Sequence, residues 1–227
     1  MAVVHRTTMR PTKLELLAAW LPTRPWYAGG ADGPRLVGAG GFRLDDPGGE
    51  VGIEFMVVTD GTGPDAVAHQ VPLTYRADPL AGAERALVGT SEHGVLGKRW
   101  IYDGVHDPVF VERLHALLDG RAEPQEQTAT DTPDPTVAVV PLTPDGSGAD
   151  AEPVRVEEGP DHTDVVLREP GAPAPLVLRV RRVLRTDDGP DGGPDDGAPA
   201  RVTGEWLRPD GTTARGTYAT AFTALTA

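Results

Sequence analysis

Aromatic residues are scarce in this sequence, at 5% of the chain, yet several of them fall in two short segments. Trp26 and Tyr27 are adjacent, and Trp100 and Tyr102 stand two positions apart in a later segment. Rings of this kind line small-molecule sites, so these four residues are a candidate platform for stacking against a sugar. The alternative is packing, because Trp and Tyr beside an amphipathic helix are more often buried in a core.

Two further groups of residues carry atoms that could bind a metal ion. His93, Asp103, His106 and Asp107 offer imidazole and carboxylate ligands, but their spacing does not place two imidazoles on one helical face. Asp107 is also well placed to cap a helix. The tract 186–200 is rich in aspartate, but it lacks the ligand spacing of an EF-hand loop. We therefore predict no metal site and no cofactor, and we interpret the tract as a mobile, solvated loop.

The sequence contains no motif for nucleophilic catalysis or phosphate binding. Ser147-Gly148 lies in a stretch rich in Pro, Asp and Gly rather than in a GxSxG turn between a strand and a helix. Neither lysine, Lys13 or Lys98, follows a glycine-rich turn of the Walker type. The chain has no cysteine, which excludes disulfides and thiolate chemistry. The residues alone therefore predict no active site.

The charge balance excludes one class of partner. Acidic residues number 34 and basic residues 21, for a net charge of -13. Neutralising the phosphates of a nucleic acid requires clustered Lys and Arg, so we predict no nucleic-acid partner. No apolar run approaches the roughly 18 residues that span a bilayer, and the first residues lack the apolar core of a signal peptide. We expect a cytoplasmic protein with no membrane contact.

Periodicity and end signals predict the elements that would hold these residues. Thr12 and Glu15 form a capping box for a helix over 13–21, which Pro22 would end. Asp107, followed by proline, would begin a second helix that stops at Gly120. Alternating apolar residues predict an antiparallel meander with one buried face, followed by a short helix and another strand: strands 35–44, 50–59 and 67–75, helix 80–88, and strand 95–103.

Composition divides the chain into three parts. Residues 1–120 carry both amphipathic helices and a curved antiparallel sheet, which predicts an α+β domain. Residues 121–135 are polar and rich in proline, which is typical of a linker. Residues 136–227 predict a second, mostly antiparallel β unit, whose strands are 136–141, 153–158, 163–169, 175–184, 201–207 and 215–223.

The first part of the chain resembles a known family. The sequence LPTRPWYAGG at 21–30, with the helix before it, is similar to the opening of the actinobacterial maltokinases. The meander, Gly89-Thr90, the sequence YDGVHDP at 102–108 and the helix after it extend the resemblance over about 1–120. In that family the region is an N-terminal cap, a small α+β subdomain before an aminoglycoside-phosphotransferase-like kinase. The resemblance implies a role in glycogen, trehalose or other α-glucan metabolism.

The second part resembles the N-lobe of such a kinase in degenerate form. Residues 156–167 stand where the N-lobe has its nucleotide-covering hairpin, and 176–184 look like the following strand, which carries the ATP-contacting lysine. Arg179 occupies that position, and an arginine does not reproduce the point charge of a lysine. Phosphoryl transfer also needs a base and magnesium ligands, which the family takes from an HGD-type loop in its C-lobe. This sequence has no counterpart of that lobe, so we expect no catalysis.

Three hypotheses follow for the function. The first is a stand-alone, non-catalytic binding or regulatory module, whose partner is a sugar kinase, another glucan-pathway enzyme, a metabolite or a second copy of the chain. The second is one half of a split sugar kinase that a separate C-lobe chain completes. The third is a carbohydrate-binding module that uses the aromatic platform. We favour the first because the fold-forming residues of the family are kept while its catalytic lobe has no counterpart.

Overall fold

The computed structural model of the protein describes residues 8–30, 33–143, 151–187 and 198–224. It contains two α-helices, α1 (Lys13–Trp20) and α2 (Pro108–Leu118), and one large sheet. The strands in chain order are β1 (Met9–Arg10), β2 (Leu36–Leu44), β3 (Gly52–Asp60), β4 (Val67–Arg76), β5 (Leu87–His93), β6 (Gly97–Asp103), β7 (Ala138–Val140), β8 (Glu152–Glu158), β9 (His162–Arg168), β10 (Leu176–Arg181), β11 (Val183–Leu184), β12 (Ala200–Leu207) and β13 (Thr213–Thr223). Every pairing between these strands is antiparallel. The fold is therefore mostly antiparallel β with few helices.

Helix α1 begins as its capping box predicts. The Thr12 hydroxyl accepts a hydrogen bond from the Glu15 N–H at 3.3 Å, and the Glu15 carboxylate accepts one from the Thr12 N–H at 2.7 Å. The α-helix ends at Trp20, and the chain continues as a single 3₁₀ turn over Leu21–Thr23. Proline is tolerated in the first turn of such a segment because its nitrogen has no partner to lose there, so Pro22 does not stop the helical path.

Helix α2 also follows its local signals. The Asp107 side chain accepts a hydrogen bond from the Val109 N–H at 3.0 Å, and Pro108 takes the first helical position. Gly120 follows the helix with a φ of 74°, a conformation that glycine adopts without a steric penalty. The predicted apolar face of this helix is confirmed as buried: Val111, Leu114, Leu117 and Leu118.

The short helix predicted over 80–88 is wrong. Only Glu84–Ala86 form a 3₁₀ turn, and Leu87 already begins strand β5, which pairs with β6. Pairing with β6 satisfies the backbone groups of this segment, so the tertiary structure overrides the local pattern. Close packing also fixes the strand, because a Cβ at Gly89 would approach the Leu16 side chain of α1 to 2.6 Å.

The prediction of a single buried face for the meander is also wrong. Along β3, residues 53–60 are all buried, so both faces of this strand are covered. One face, which carries Phe55 and Val57, packs against α2 and against the second half of the chain. The other face, which carries Met56 and Val58, packs against α1 and Trp26. The alternation of apolar residues did not predict that this second face is buried, because the face carries polar as well as apolar side chains.

A buried carboxylate pins α1 to that second face. Glu54 is 6% exposed, and its carboxylate accepts hydrogen bonds from Lys13 Nζ at 2.7 and 3.0 Å, from the Tyr75 hydroxyl, and from Gln127 Nε2 at 2.9 Å. Tyr75 is half-buried, and its burial beside Glu54 raises its pKa well above the ordinary value. Each polar partner thus comes from a different segment, so Glu54 fixes the first helix and the segment after α2 on the sheet.

Strand pairs join the first half of the chain to the second. On one side, Trp206 of β12 pairs with Gly40 of β2; on the other, β11 pairs with β4, with Val183 opposite His69. Strand β10 leads into β11 through Arg182, and β13 pairs with both β10 and β12. These strands therefore close a ring in the order β2, β3, β4, β11, β10, β13, β12 and back to β2. Neighbours in the ring are paired, except that β10 and β11 follow one another along the chain. We call it the strand ring. Its interior is apolar and includes Phe42, Phe55, Leu178, Val202 and Tyr218.

The segment predicted as a linker, 121–135, packs along β2. The backbone groups of Gln125 and Arg43 exchange hydrogen bonds of 2.8 and 2.9 Å. The Arg43 guanidinium also donates to the carbonyls of Glu126 and Ala129, at 2.9 Å each. The division of the chain into 1–120, 121–135 and 136–227 stays a prediction, but the parts share one sheet and one apolar core.

Candidate functional site

Trp26, the first residue of the aromatic platform, packs inside the protein. It is 1% exposed, and its ring lies 5.8 Å from that of Trp20 in an edge-on arrangement. The guanidinium of Arg182 lies 4.7 Å from the Trp26 ring centroid, a cation–π contact that crosses from the second half of the chain to the first. In this structure Trp26 therefore presents no free face to a ligand.

Tyr27 lies at the edge of the same cluster and is half-buried. Its hydroxyl donates to Asp60 Oδ2 at 2.6 Å, while the Arg35 N–H donates to the other carboxylate oxygen at 2.7 Å. Burial, and then the neighbouring Asp60 carboxylate, raise the pKa of Tyr27 to about 12. The phenol is thus protonated at neutral pH and held in one orientation by its hydrogen bond.

His69 lies beneath these two rings with no exposed surface. Its ring centroid is 6.2 Å from that of Trp26 and 5.4 Å from that of Tyr27. Burial lowers the pKa of His69, and the nearby Asp60 carboxylate opposes that shift without cancelling it. The imidazole is therefore neutral at pH 7 and serves as part of the packing.

The other two residues of the platform belong to a separate cluster. Tyr102 is 2% exposed, and its hydroxyl accepts a hydrogen bond from the Leu80 N–H at 2.9 Å. Trp100 is half-buried, with Lys98 Nζ lying 4.7 Å from its ring centroid. Both pack with Ala83 and its neighbours, away from Trp26 and Tyr27. The structure therefore forms two aromatic groups in place of one platform, and sugar stacking on either group stays a prediction.

Arg179, which the sequence resemblance predicts to stand at the position of the ATP-contacting lysine, is held by the sheet itself. Its guanidinium donates two hydrogen bonds of 2.8 Å to the Asp164 carboxylate on β9, and it lies 5.1 Å from the Phe222 ring centroid on β13. A bidentate pair of this kind occupies the fork that would otherwise take a phosphate. Arg179 therefore has a structural partner in this conformation.

The most buried charge pair was missed by the sequence reasoning. Arg182 and Asp103 are 0% and 1% exposed, and Arg182 Nη2 donates to both Asp103 oxygens, at 2.9 and 2.7 Å. Arg182 Nε also donates to the Thr163 hydroxyl at 2.8 Å. A signal was present, because 176, 178 and 180 are buried and continuing the same alternation predicts that residue 182 is buried too. We call Asp103, Arg182 and Thr163 the buried clamp.

Three of the four candidate metal ligands are drawn into other roles, and the fourth, His106, is exposed. Asp103 belongs to the buried clamp, and Asp107 accepts two hydrogen bonds of 2.6 Å from Arg76. The His93 imidazole accepts hydrogen bonds from the backbone N–H groups of residues 95 and 96. Within the described ranges, no group of three or more potential ligands comes together. Ser147-Gly148 and residues 188–197 of the acidic tract lie outside the described residues.

A groove opens at one mouth of the strand ring, with a volume of about 580 Å³. We call it the ring-mouth groove. One wall is the β3–β4 hairpin over 59–68, the opposite wall is formed by 183–186, and the β12–β13 turn over 206–210 completes the rim. Because the hairpin belongs to the first half of the chain and the other segments to the second, the groove exists only where the two halves meet. Ligand sites recur at such junctions and in this range of volumes.

Two arginines stand in the walls of the ring-mouth groove, and the backbone positions both. The first is Arg185, whose backbone packs closely against residue 216. This residue must be glycine, because a Cβ at Gly216 would lie 2.1 Å from the Arg185 carbonyl oxygen. Arg208 lies in a tight turn, in which its N–H donates to the Thr212 carbonyl at 2.8 Å. The Asp210 carboxylate accepts from the Thr212 N–H and hydroxyl at 2.9 and 2.6 Å, and these bonds lower its pKa.

Comparison with known proteins finds a family similarity over part of the chain. Residues 20–107 match the model of the maltokinase N-terminal cap domain, which confirms that part of the predicted resemblance. The match covers the meander and the β3–β4 hairpin, while most of α1, all of α2 and strands β7–β13 lie outside it. No curated protein matches the sequence. In the described part of the chain, no helix combines the length and the apolar character that crossing a membrane requires.

Proposed function

We propose that this chain is a non-catalytic binding module, related to the maltokinase cap, that regulates a sugar kinase or another enzyme of α-glucan and sugar-phosphate metabolism. The observation that carries the proposal is the ring-mouth groove. Its hairpin wall falls within the segment that matches the cap domain, and its other walls come from the second half of the chain. The cap-like part and the second half thus form one surface that either half alone would lack.

The use of the charged residues supports binding over phosphoryl transfer. A kinase N-lobe needs a cation that is free to hold the phosphates of ATP. In this chain Arg179 is paired with Asp164, and Arg182 is buried with Asp103. Releasing either cation would leave a carboxylate without its partner, which is unfavourable, above all for the buried one. The fold therefore uses Arg182 to hold the two halves together and Arg179 to join two strands of the second half.

The experiment titrates the purified chain into a purified maltokinase and follows the phosphorylation of maltose by Mg-ATP. We expect a saturable change in KM or kcat as the chain is added, and we expect no turnover from the chain alone. A Gly30→Ala variant is the matched control, because a Cβ at Gly30 meets nothing within 4 Å. Unchanged kinetics over the whole titration would contradict a role with this kinase. Turnover that appears only after a separate C-lobe chain is added would instead support the split sugar kinase.

A further inference from the structure

We propose that the ring-mouth groove binds a small phosphorylated sugar, with Arg185 and Arg208 holding the phosphate. This inference rests on the proposed function, and it names the class of ligand that the binding module would take. The groove has room for such a molecule, since its volume of about 580 Å³ lies within the range of small-molecule sites, roughly 300–1,000 Å³. It is also lined from three separate segments, so a ligand of this size would touch both halves of the chain at once.

The charges of the groove favour an anion. The protein carries a net charge of -13, yet two guanidinium groups line this one groove. Arg185 has a weakly placed partner, since its Nη2 lies 4.0 Å from Asp161 Oδ2 and half of its side chain is exposed. Among the described residues that line the groove, Asp210 carries the one carboxylate, and it already accepts two hydrogen bonds from Thr212. Guanidinium groups pair well with phosphate oxygens because several N–H donors can be presented to the same group.

The rest of the lining suits the hydroxyl-bearing body of a sugar. Three threonines, Thr59, Thr62 and Thr186, bring hydroxyl groups that can donate and accept hydrogen bonds. Trp206 and Leu184 add an apolar part to the wall. A mixed surface of this kind distinguishes a sugar phosphate from inorganic phosphate, which would use the arginines alone. A concave groove with few cations also does not fit an extended polyanion.

The test measures binding by isothermal titration calorimetry, with glucose 1-phosphate, glucose and inorganic phosphate as probes. We expect glucose 1-phosphate to bind more tightly than either of the other two, and its affinity to fall as salt is raised. Arg185→Gln and Arg208→Gln should each weaken the binding of glucose 1-phosphate by about tenfold or more, because each removes a charge-assisted contact. Arg168→Gln is the matched control, since Arg168 is exposed and lies at the opposite end of β9 from Asp161.

The melting temperature of each variant is measured in parallel, so that a loss of affinity is assigned to the groove only where folding is intact. Equal weakening by the control variant, or no heat of binding with any probe, would overturn the inference. Equal affinities for phosphate and for glucose 1-phosphate would overturn the part that assigns a sugar. Failure here leaves the proposed function testable, because the kinase titration does not depend on glucose 1-phosphate. A negative kinase titration with intact ligand binding would overturn the proposed function alone.

Discussion

The buried clamp predicts a large loss of stability when only one of its charges is removed. Arg182 and Asp103 are almost fully buried, and Arg182 makes hydrogen bonds to the carboxylate and to Thr163. Asp103→Asn would keep the shape of the side chain but leave the guanidinium without a buried counter-charge. Removing one partner of such a pair costs about 3–5 kcal/mol. In a chain of this length, about 1 kcal/mol shifts Tm by roughly 2–4 °C, so we expect Tm to fall by about 6–20 °C.

Urea unfolding followed by circular dichroism gives the free energy of unfolding for this variant and for two references. Glu157→Gln breaks the Arg155–Glu157 ion pair, whose side chains are 58% and 55% exposed, and should cost no more than about 1 kcal/mol. The double variant Asp103→Leu/Arg182→Met removes both charges and should lose less stability than Asp103→Asn alone, because no uncompensated charge stays buried. A loss below about 1 kcal/mol for Asp103→Asn, or a double variant that is less stable than Asp103→Asn, would contradict a stabilising role of the buried charge pair.

Three further predictions follow from single buried residues. Trp26→Ala should lower the free energy of unfolding by about 3–5 kcal/mol, as measured in urea, and a wild-type midpoint would contradict the core position of Trp26. Gly216→Ala should destabilise by about 1–3 kcal/mol and weaken the binding of glucose 1-phosphate, because its Cβ would collide with the Arg185 carbonyl; unchanged values of both would contradict that contact. For His69, whose pKa is lowered in the folded state, the unfolded chain takes up the proton near the ordinary pKa of about 6.5. Stability should therefore fall as pH drops below about 6.5, by at most about 1.4 kcal/mol per pH unit from this group, and His69→Gln should show a smaller difference between unfolding curves at pH 7.5 and 5.5.

Local signals in the sequence predicted the starts of both helices well. The capping box at Thr12 and Glu15 and the cap at Asp107 each involve residues within a few positions of one another, so their hydrogen bonds follow from the sequence directly. The stretch 80–88 failed because its conformation is set by the pairing of β5 with β6 rather than by its own residues. An isolated pattern cannot show that a distant strand will supply the hydrogen bonds.

The sequence could not predict the long-range strand pairings that close the strand ring. The pairings of β2 with β12 and of β4 with β11 join segments more than one hundred residues apart, so no local pattern reports them. The ring-mouth groove is a consequence of these pairings, and the sequence analysis did not single out its two arginines. The aromatic residues illustrate the same limit. The sequence allowed Trp26 either to stack on a sugar or to pack in the core, and only its contacts in the folded protein show that it packs in the core.

We propose that this chain binds a phosphorylated ligand and does not transfer phosphate. The most direct measurement is ³¹P NMR of one sample that contains the chain, Mg-ATP, maltose and glucose 1-phosphate. We expect the glucose 1-phosphate resonance to broaden or shift as the chain is added, while the three ATP resonances keep their intensities over time. Loss of the γ-phosphate signal with the growth of a new phosphate-ester resonance would contradict it, and so would a glucose 1-phosphate resonance that the chain leaves unchanged.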